Sequence, residues 1–332
     1  MPRVCYFCPD YSLPSGGIRT LYRHVLQLNR RQRSAVIVHT RVGFRAAWHG
    51  VDVPVVWLED RVRFEPDDVL VFPVGAVRLM RDSMQWPNPR VVIALAWSSI
   101  YEQLPPESDW TDFGIHHVLS PSPTVMRFVE RSMGLPVTLI PEVIDAELYR
   151  HRPELKQDRI CFAPRKTAVG GILERICARR GSGAGRYHWV PLLDLAESEY
   201  AAELARARIF LATNSREGAN VSVLEAMGAG CIVVGFSGVG GNDFMRGAGP
   251  RPNCILVENE NLPQLDAALE EVVARLAADV TAFDGLIEAA VETAATFADP
   301  NVEGAALVRF YDGLRGSEAT NALSASIGAR SR

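Results

Sequence analysis

Short apolar runs alternate with longer amphipathic stretches along most of the chain. Residues 3–7, 35–39, 53–57, 69–72, 91–95, 118–120 and 137–140 are brief runs rich in branched side chains, the pattern of buried parallel strands. Between them, Leu21, Val25 and Leu28 recur at helical spacing and predict a helix over 18–29. A second helix is predicted over 123–133. The alternation breaks at 141–153, where prolines, charges and Tyr149 mark a connection between domains. It then restarts, with strands predicted at 159–163, 209–212 and 231–236. Helices are predicted at 198–207 (Ser198 as N-cap), 221–227, 262–276, 281–296 and 301–314. Residues 179–187 read as a Gly/Arg/Ser loop, and 315–332 as a small, polar, disordered tail.

Strand–helix alternation in both halves implies an α/β protein of two Rossmann-like, doubly wound parallel-sheet domains facing a cleft. The boundaries are an N-terminal domain at 1–145, a C-terminal domain at 146–300, and a helix at 301–314 returning to the first domain. Ligands of such sheets sit beyond the carboxyl ends of the strands, so the cleft is the natural site.

Composition narrows the class. With 332 residues, 48% apolar and 22% charged, the chain can build two full cores. A net charge of −4 supplies no field for nucleic acid. No apolar run approaches the ~20 residues of a membrane span, and the first residues lack the apolar region and cleavage site of a signal peptide, so a cytoplasmic location is expected. The six cysteines are scattered; Cys5 and Cys8 share a predicted strand and read as structural. Arginine supplies nearly all the positive charge, Lys156 and Lys166 being the only lysines. A lysine therefore stands out. Arg19, Arg23, Arg30, Arg31 and Arg33 make one helix and its exit basic; one reading is contact with the inner face of a membrane, the other a solvated face.

The most informative stretch runs from Asn214 to Gly230. Glu217 follows a strand, Gly218-Ala219-Asn220 form a small polar loop, a helix opens at Val221, and Glu225 lies eight positions after Glu217. A glycine turn lets backbone N–H groups approach an anion, and a helix N-terminus adds orphan N–H groups and partial positive charge. Ionised carboxylates at either end can each accept two hydrogen bonds from a diol. The alternative is a helix-start acid, a solvated acid and a core helix.

Glu217 and Glu225, separated by seven residues, resemble the E-x7-E signature of retaining glycosyltransferases of the GT-B fold, family 4 above all. Ala226-Met227-Gly228-Ala229-Gly230-Cys231-Ile232-Val233-Val234 resembles that family's continuation. The resemblance implies a transferase that takes a sugar from a nucleotide-diphosphate sugar, with retention at the anomeric carbon. It places Glu217 on the sugar, Glu225 on the ribose, and the backbone of Gly218, Ala219, Asn220 and Val221 around sugar and phosphate. The family has an aromatic and a glycine where this chain has Ala219 and Asn220. Gly16 and Gly17 resemble the family's glycine-rich first loop, and Arg165 and Lys166 occupy the place of its diphosphate-gripping cations, which would serve in catalysis with Glu217. By the same resemblance, Asp194 and Leu195 lie in the nucleobase loop, 190–195. Ser120 and Ser122 precede the connection between domains and face the cleft. The family's histidine near the sugar is absent; Trp97 or Ser98 takes its place on the acceptor side. His24, His39, His116 and His117 read as structural.

No Asp-x-Asp pair for a divalent cation occurs, so no metal and no cofactor are expected beyond the co-substrate. The acceptor is a glycan, a lipid-linked molecule or a small molecule. Two rivals remain: a non-catalytic nucleotide-sugar-binding partner subunit, and an epimerase of the same fold. A phosphorylase lacks its lysine here. Gly238-Val239-Gly240-Gly241 does not complete a dinucleotide-binding fingerprint.

Overall fold

The computed structural model describes residues 2–329, with side chains through Leu314. The first sheet is parallel and has seven strands: β1 (Val4–Phe7), β2 (Ala35–His39), β3 (Val55–Trp57), β4 (Val69–Pro73), β5 (Arg90–Ile93), β6 (His117–Ser120) and β7 (Val137–Leu139). Their order is β3-β2-β1-β4-β5-β6-β7, with Cys5 opposite both Val36 and Leu70. The order reverses between β1 and β4, which opens a crevice over their carboxyl ends. Helices α1 (Gly16–Arg30), α2 (Val77–Asp82), α3 (Ile100–Gln103) and α4 (Pro123–Met133) cover the two faces.

The second sheet has five parallel strands: β8 (Gln157–Phe162), β9 (His188–Pro191), β10 (Ala207–Ala212), β11 (Ile232–Phe236) and β12 (Ile255–Val257), ordered β12-β11-β10-β8-β9. Its reversal lies between β8 and β10. Around it run α5 (Val169–Arg180), α6 (Glu197–Arg206), α7 (Val221–Gly228), α8 (Leu262–Ala278) and α9 (Asp284–Ala295). The last helix, α10 (Pro300–Ala329), returns to α1. There Tyr311 Oη meets Tyr6 Oη at 2.8 Å, and the Arg23 guanidinium donates from Nε to Glu303 at 2.8 Å.

Each sheet buries apolar residues on both faces, as strands covered by helices must. Along β1, Val4, Tyr6 and Cys8 join α1 and α10 in one core, while Cys5 and Phe7 face α2 and α4 in another. The Cys5 and Cys8 thiols thus point to opposite faces and make no metal pair; burial pushes Cys5 up to about 12.

Local departures from the sequence pattern have local causes. Strand β3 starts at Val55 because Pro54 has no N–H for the ladder. Helix α6 begins at Glu197, with Ala196 rather than Ser198 at its N-cap: Ala196 is extended (φ −60°, ψ 153°), and its N–H donates to the Glu199 carboxylate at 2.9 Å. Helix α9 starts at Asp284, because Asp279 captures the N–H of Thr281 at 2.9 Å and holds a turn ahead of it. The backbone of α10 runs on to Ala329, beyond the expected end at 314. Residues 315–329 of the expected disordered tail thus continue α10 in the backbone, and residues 330–332 lie outside the described residues.

Candidate active site

The site assembles where both sheets reverse. In the second domain, β10 releases residues 213–220 and α7 begins at Val221. Asn220 caps α7 in the left-handed conformation (φ 46°, ψ 48°), which asparagine tolerates better than most residues. Its side-chain Nδ2 donates to the Ser237 carbonyl at 3.0 Å. Asparagine therefore serves the same backbone conformation that a glycine would, and the departure from the family pattern leaves the turn intact.

Glu217 is braced from two sides. Its N–H donates to the Gly238 carbonyl at 2.8 Å, and its carbonyl accepts from the Gly240 N–H at 3.1 Å. That carbonyl also accepts from Trp97 Nε1 at 2.9 Å, a bond that crosses between domains. A Cβ on Gly240 would sit 1.8 Å from the Gly218 carbonyl oxygen, so only glycine fits there. Val239, between these glycines, holds φ at 72°, a costly conformation for a branched residue. The glycine run that fails as a dinucleotide fingerprint is thus the brace behind Glu217. Its sequence signal was glycine spacing without a strand–helix context.

The Lys166 ammonium meets Glu217 Oε2 at 2.7 Å. Lys166 and Arg165 sit on a single turn (Pro164–Lys166) just after β8, which places both cations over the start of α7's loop. Among the described residues Arg165 forms no ion pair, and its side chain lines the cleft.

Glu225, one and a half turns into α7, is 3% exposed. Burial pushes its carboxyl above the ordinary value, and Arg19 from α1 pulls it back. The Arg19 guanidinium donates from Nη2 to Glu225 Oε1, and from Nη1 to Glu197 and to Tyr149 Oη, the latter at 3.1 Å. Despite its own burial, these neighbours hold Arg19 firmly charged.

The resulting cleft has a volume of ≈ 480 Å³, within the range of small-molecule sites. Gly16, Gly17, Arg165, Lys166, Asp194, Leu195, Glu217, Ala219, Asn220, Val221 and Glu225 all line it. Asp194 holds φ at 53°, turning the loop after β9 toward the space. Five expected positions do not line it: Gly218, Trp97 and Ser98, and also Ser120 and Ser122, which are buried. Gly218 lies against the opposite domain: a Cβ there would meet the Leu95 carbonyl oxygen at 2.0 Å, so its glycine serves contact between domains rather than ligand approach. Trp97 turns its indole N–H to the Glu217 carbonyl, and Ser98 is not among the lining residues; Leu95, Ala96 and Ser99 line the cleft instead. Sequence reasoning missed Arg19, Trp48, Glu142, Tyr149, Glu197 and Tyr200 as lining residues. Of these, only Arg19 carried a signal, two positions after the glycine pair.

The basic face of α1 is largely paired with groups of the same chain. Arg19 is spent on Glu225 and Glu197, Arg23 on Glu142 and Glu303, Arg31 on Gln27 and Asn301, and Arg33 on Asp312. Of these five arginines only Arg30 is exposed. Among the described residues no helix is long and apolar enough to cross a membrane.

Ser122 instead caps α4, with Val125 N–H donating to its hydroxyl at 3.3 Å, and donates to Asp243 of the other domain at 2.8 Å. His24 and His39 are buried in side-chain networks, His39 bonded to Tyr22 Oη at 2.8 Å.

Residues 153–279 match the family model described as Glycosyl transferases group 1. No curated protein matches the chain in sequence. Solved structures do resemble it. Sucrose-phosphate synthase from Thermosynechococcus elongatus aligns over 96% of this chain and 100% of its own, at TM-score 0.70 and 11% identity. HepE of Anabaena in complex with UDP-glucose aligns over 94% and 99%, at 0.68 and 13%. The pneumococcal O-GlcNAc transferase GtfA in complex with UDP and GlcNAc aligns over 95% and 99%, at 0.65 and 9%. The fold is GT-B: two parallel-sheet α/β domains facing a cleft, as the strand–helix alternation predicted.

Proposed function

We propose that the protein is a glycosyltransferase that takes a sugar from a nucleoside-diphosphate sugar and passes it to an acceptor hydroxyl with retention of anomeric configuration. The observation that carries this reading is the convergence of Lys166 and Arg165, the left-handed Asn220 turn and the N-terminus of α7 on one cleft that Glu217 and Glu225 also line. The match of residues 153–279 to group 1 glycosyl transferases covers all of these residues. Structures of the same fold hold UDP-glucose, and UDP with GlcNAc, which makes uridine diphosphate the first donor series to test.

In this reading the diphosphate lies across the α7 N-terminus, between the orphan N–H groups and the cations. Glu217 accepts hydrogen bonds from the sugar hydroxyls, and Glu225 from the ribose diol. The anomeric C–O bond to the diphosphate breaks through an oxocarbenium-like transition state. Arg165 and Lys166 offset the charge that grows on the departing oxygen, the role a metal ion plays where carboxylates hold one. The acceptor oxygen bonds to the anomeric carbon from the face the diphosphate leaves, and its proton passes to the diphosphate. No side chain is required as a covalent nucleophile. The acceptor enters beside Ser99 and Gly17 on the N-terminal domain.

The test is calorimetric titration with uridine, guanosine and thymidine diphosphates and their common sugars, with and without magnesium, followed by turnover of the series that binds. Binding of one series with slow hydrolysis of its sugar supports the reading. Binding without turnover, across a panel of acceptors, replaces it with a non-catalytic binding subunit.

A further inference from the structure

Among the described residues, Arg19 is the cation that the N-terminal domain places against Glu225 and Glu197, both of which line the cleft. It lies in the first turn of α1, two positions after Gly17, where the expected glycine loop is instead the start of the helix, and its side chain is 12% exposed. One guanidinium edge holds Glu225 Oε1; the other holds Glu197 and the Tyr149 hydroxyl. Glu225 is the carboxylate that the donor-site reading assigns to the ribose, and the guanidinium stands where the ribose hydroxyls would have to approach it.

A second observation concerns the walls of the same space. Tyr200 lines the cleft, and its buried hydroxyl has no hydrogen-bond partner among the described residues, although its ring packs edge-on against Tyr149 at 6.3 Å. Trp48, from the N-terminal domain, also lines the cleft, and its indole N–H is likewise buried without a partner among the described residues. Buried donors without acceptors are costly. Both residues line the cleft that Arg19 enters, so polar groups in its walls are left without partners.

We propose that Arg19 is a counter-ligand of the nucleotide subsite: it shields Glu225, and a nucleoside diphosphate binds by displacing the guanidinium from that carboxylate while Glu197 and Tyr149 retain it. This rests on the donor-site reading above. Ribose hydroxyls then replace a charged donor on Glu225, and the loss of that ion pair is subtracted from the nucleotide's affinity. The freed guanidinium edge stays beside the bound nucleotide, so the device also ties donor binding to the position of α1, and with it to the acceptor side of the cleft.

Calorimetry of UDP, GDP, dTDP and ADP against wild type, Arg19→Ala and Arg19→Met tests this. Methionine keeps most of the side-chain volume without the charge, so it guards against collapse of the site. The expected result is roughly tenfold tighter binding of the preferred nucleotide by both variants. Melting of the ligand-free variants falls at the same time, because a bridge between domains is lost. A purely structural Arg19 would lower melting and leave affinity unchanged, and that result overturns the proposal. Weaker binding by the variants also overturns it, and makes Arg19 a nucleotide-gripping residue. If wild type itself binds none of the four, the donor-site reading fails and takes this inference with it.

Discussion

Lys166 Nζ and Glu217 Oε2 lie 2.7 Å apart, and they join the loops that leave β8 and β10 at the point where the second sheet reverses its strand order. Lys166 stays 44% exposed, so the pair is worth little to stability. An exposed pair at a topological switch point, held by a braced backbone, is placed for a ligand. Glu217→Ala and Lys166→Ala should each lower kcat for sugar transfer by roughly 10²- to 10³-fold, as loss of a transition-state contact does. Their melting temperatures should stay within a few degrees of wild type. Turnover at the wild-type rate in either variant would remove that residue from the site.

Gly218 gives a sharper structural prediction. An alanine Cβ would lie 2.0 Å from the Leu95 carbonyl oxygen and 2.8 Å from the Ala96 Cα, both backbone atoms of the other domain. Neither can swing aside. Gly218→Ala should therefore push the domains apart at the rim of the cleft, cost about 1–3 kcal/mol in denaturant unfolding, and lower activity more than stability. Gly171→Ala is the control: nothing lies within 4 Å of its Cβ, and it sits inside α5. It should gain about 0.5–1 kcal/mol from helix propensity and leave transfer unchanged.

A second lock joins the two domains at the start of α4. Asp243 accepts from the Ser122 hydroxyl at 2.8 Å, from the Thr124 N–H at 3.1 Å and from the Thr124 hydroxyl at 2.8 Å. A carboxylate from one domain thus caps α4 of the other, where the helix dipole favours negative charge. Asp243→Ala should cost about 1–2 kcal/mol. It should also widen the separation of the two domains measured by small-angle scattering. Unchanged scattering would mean that Trp97 and Arg19 suffice to hold the domains together.

These locks show what the sequence could and could not convey. Alternating apolar runs along the chain predict both sheets because each buried strand needs its own short branched-residue run. Glu217, Glu225, Arg165 and Lys166 are legible because their spacing relative to strands and helices is local. Gly218 and Trp97 were read as ligand contacts, whereas each meets a backbone more than a hundred residues away. Arg19 and Arg23 read as a solvated or membrane-facing stripe, since nothing local distinguishes an exposed arginine from one whose acids arrive from α6, α7, α10 and the connection between domains. Strand β12 and helices α2 and α3 were missed because so few residues show no period.

The seat of α10 on the first domain predicts a specific pH dependence. Glu303 is fully buried between Arg23 and His24, and burial raises its carboxyl to about 7, with Arg23 opposing and Glu142 reinforcing the shift. An unfolded glutamate titrates near 4.5. Between these values the folded chain binds a proton that the unfolded chain does not, so this group's contribution is fully present below about pH 4.5 and is lost as pH rises through about 7. His24 acts in the opposite sense: burial lowers it to about 3, so its contribution is present above the ordinary histidine value of 6.5 and is lost as pH falls. Because His24 is common to both chains, comparison with Glu303→Gln cancels it. The stability of the variant relative to wild type should therefore rise by about 3 kcal/mol from pH 4.5 to pH 7.5, measured by urea unfolding at each pH. A difference that stays flat across that range would place the Glu303 titration near its ordinary value and make Arg23 a full partner that holds the carboxylate charged.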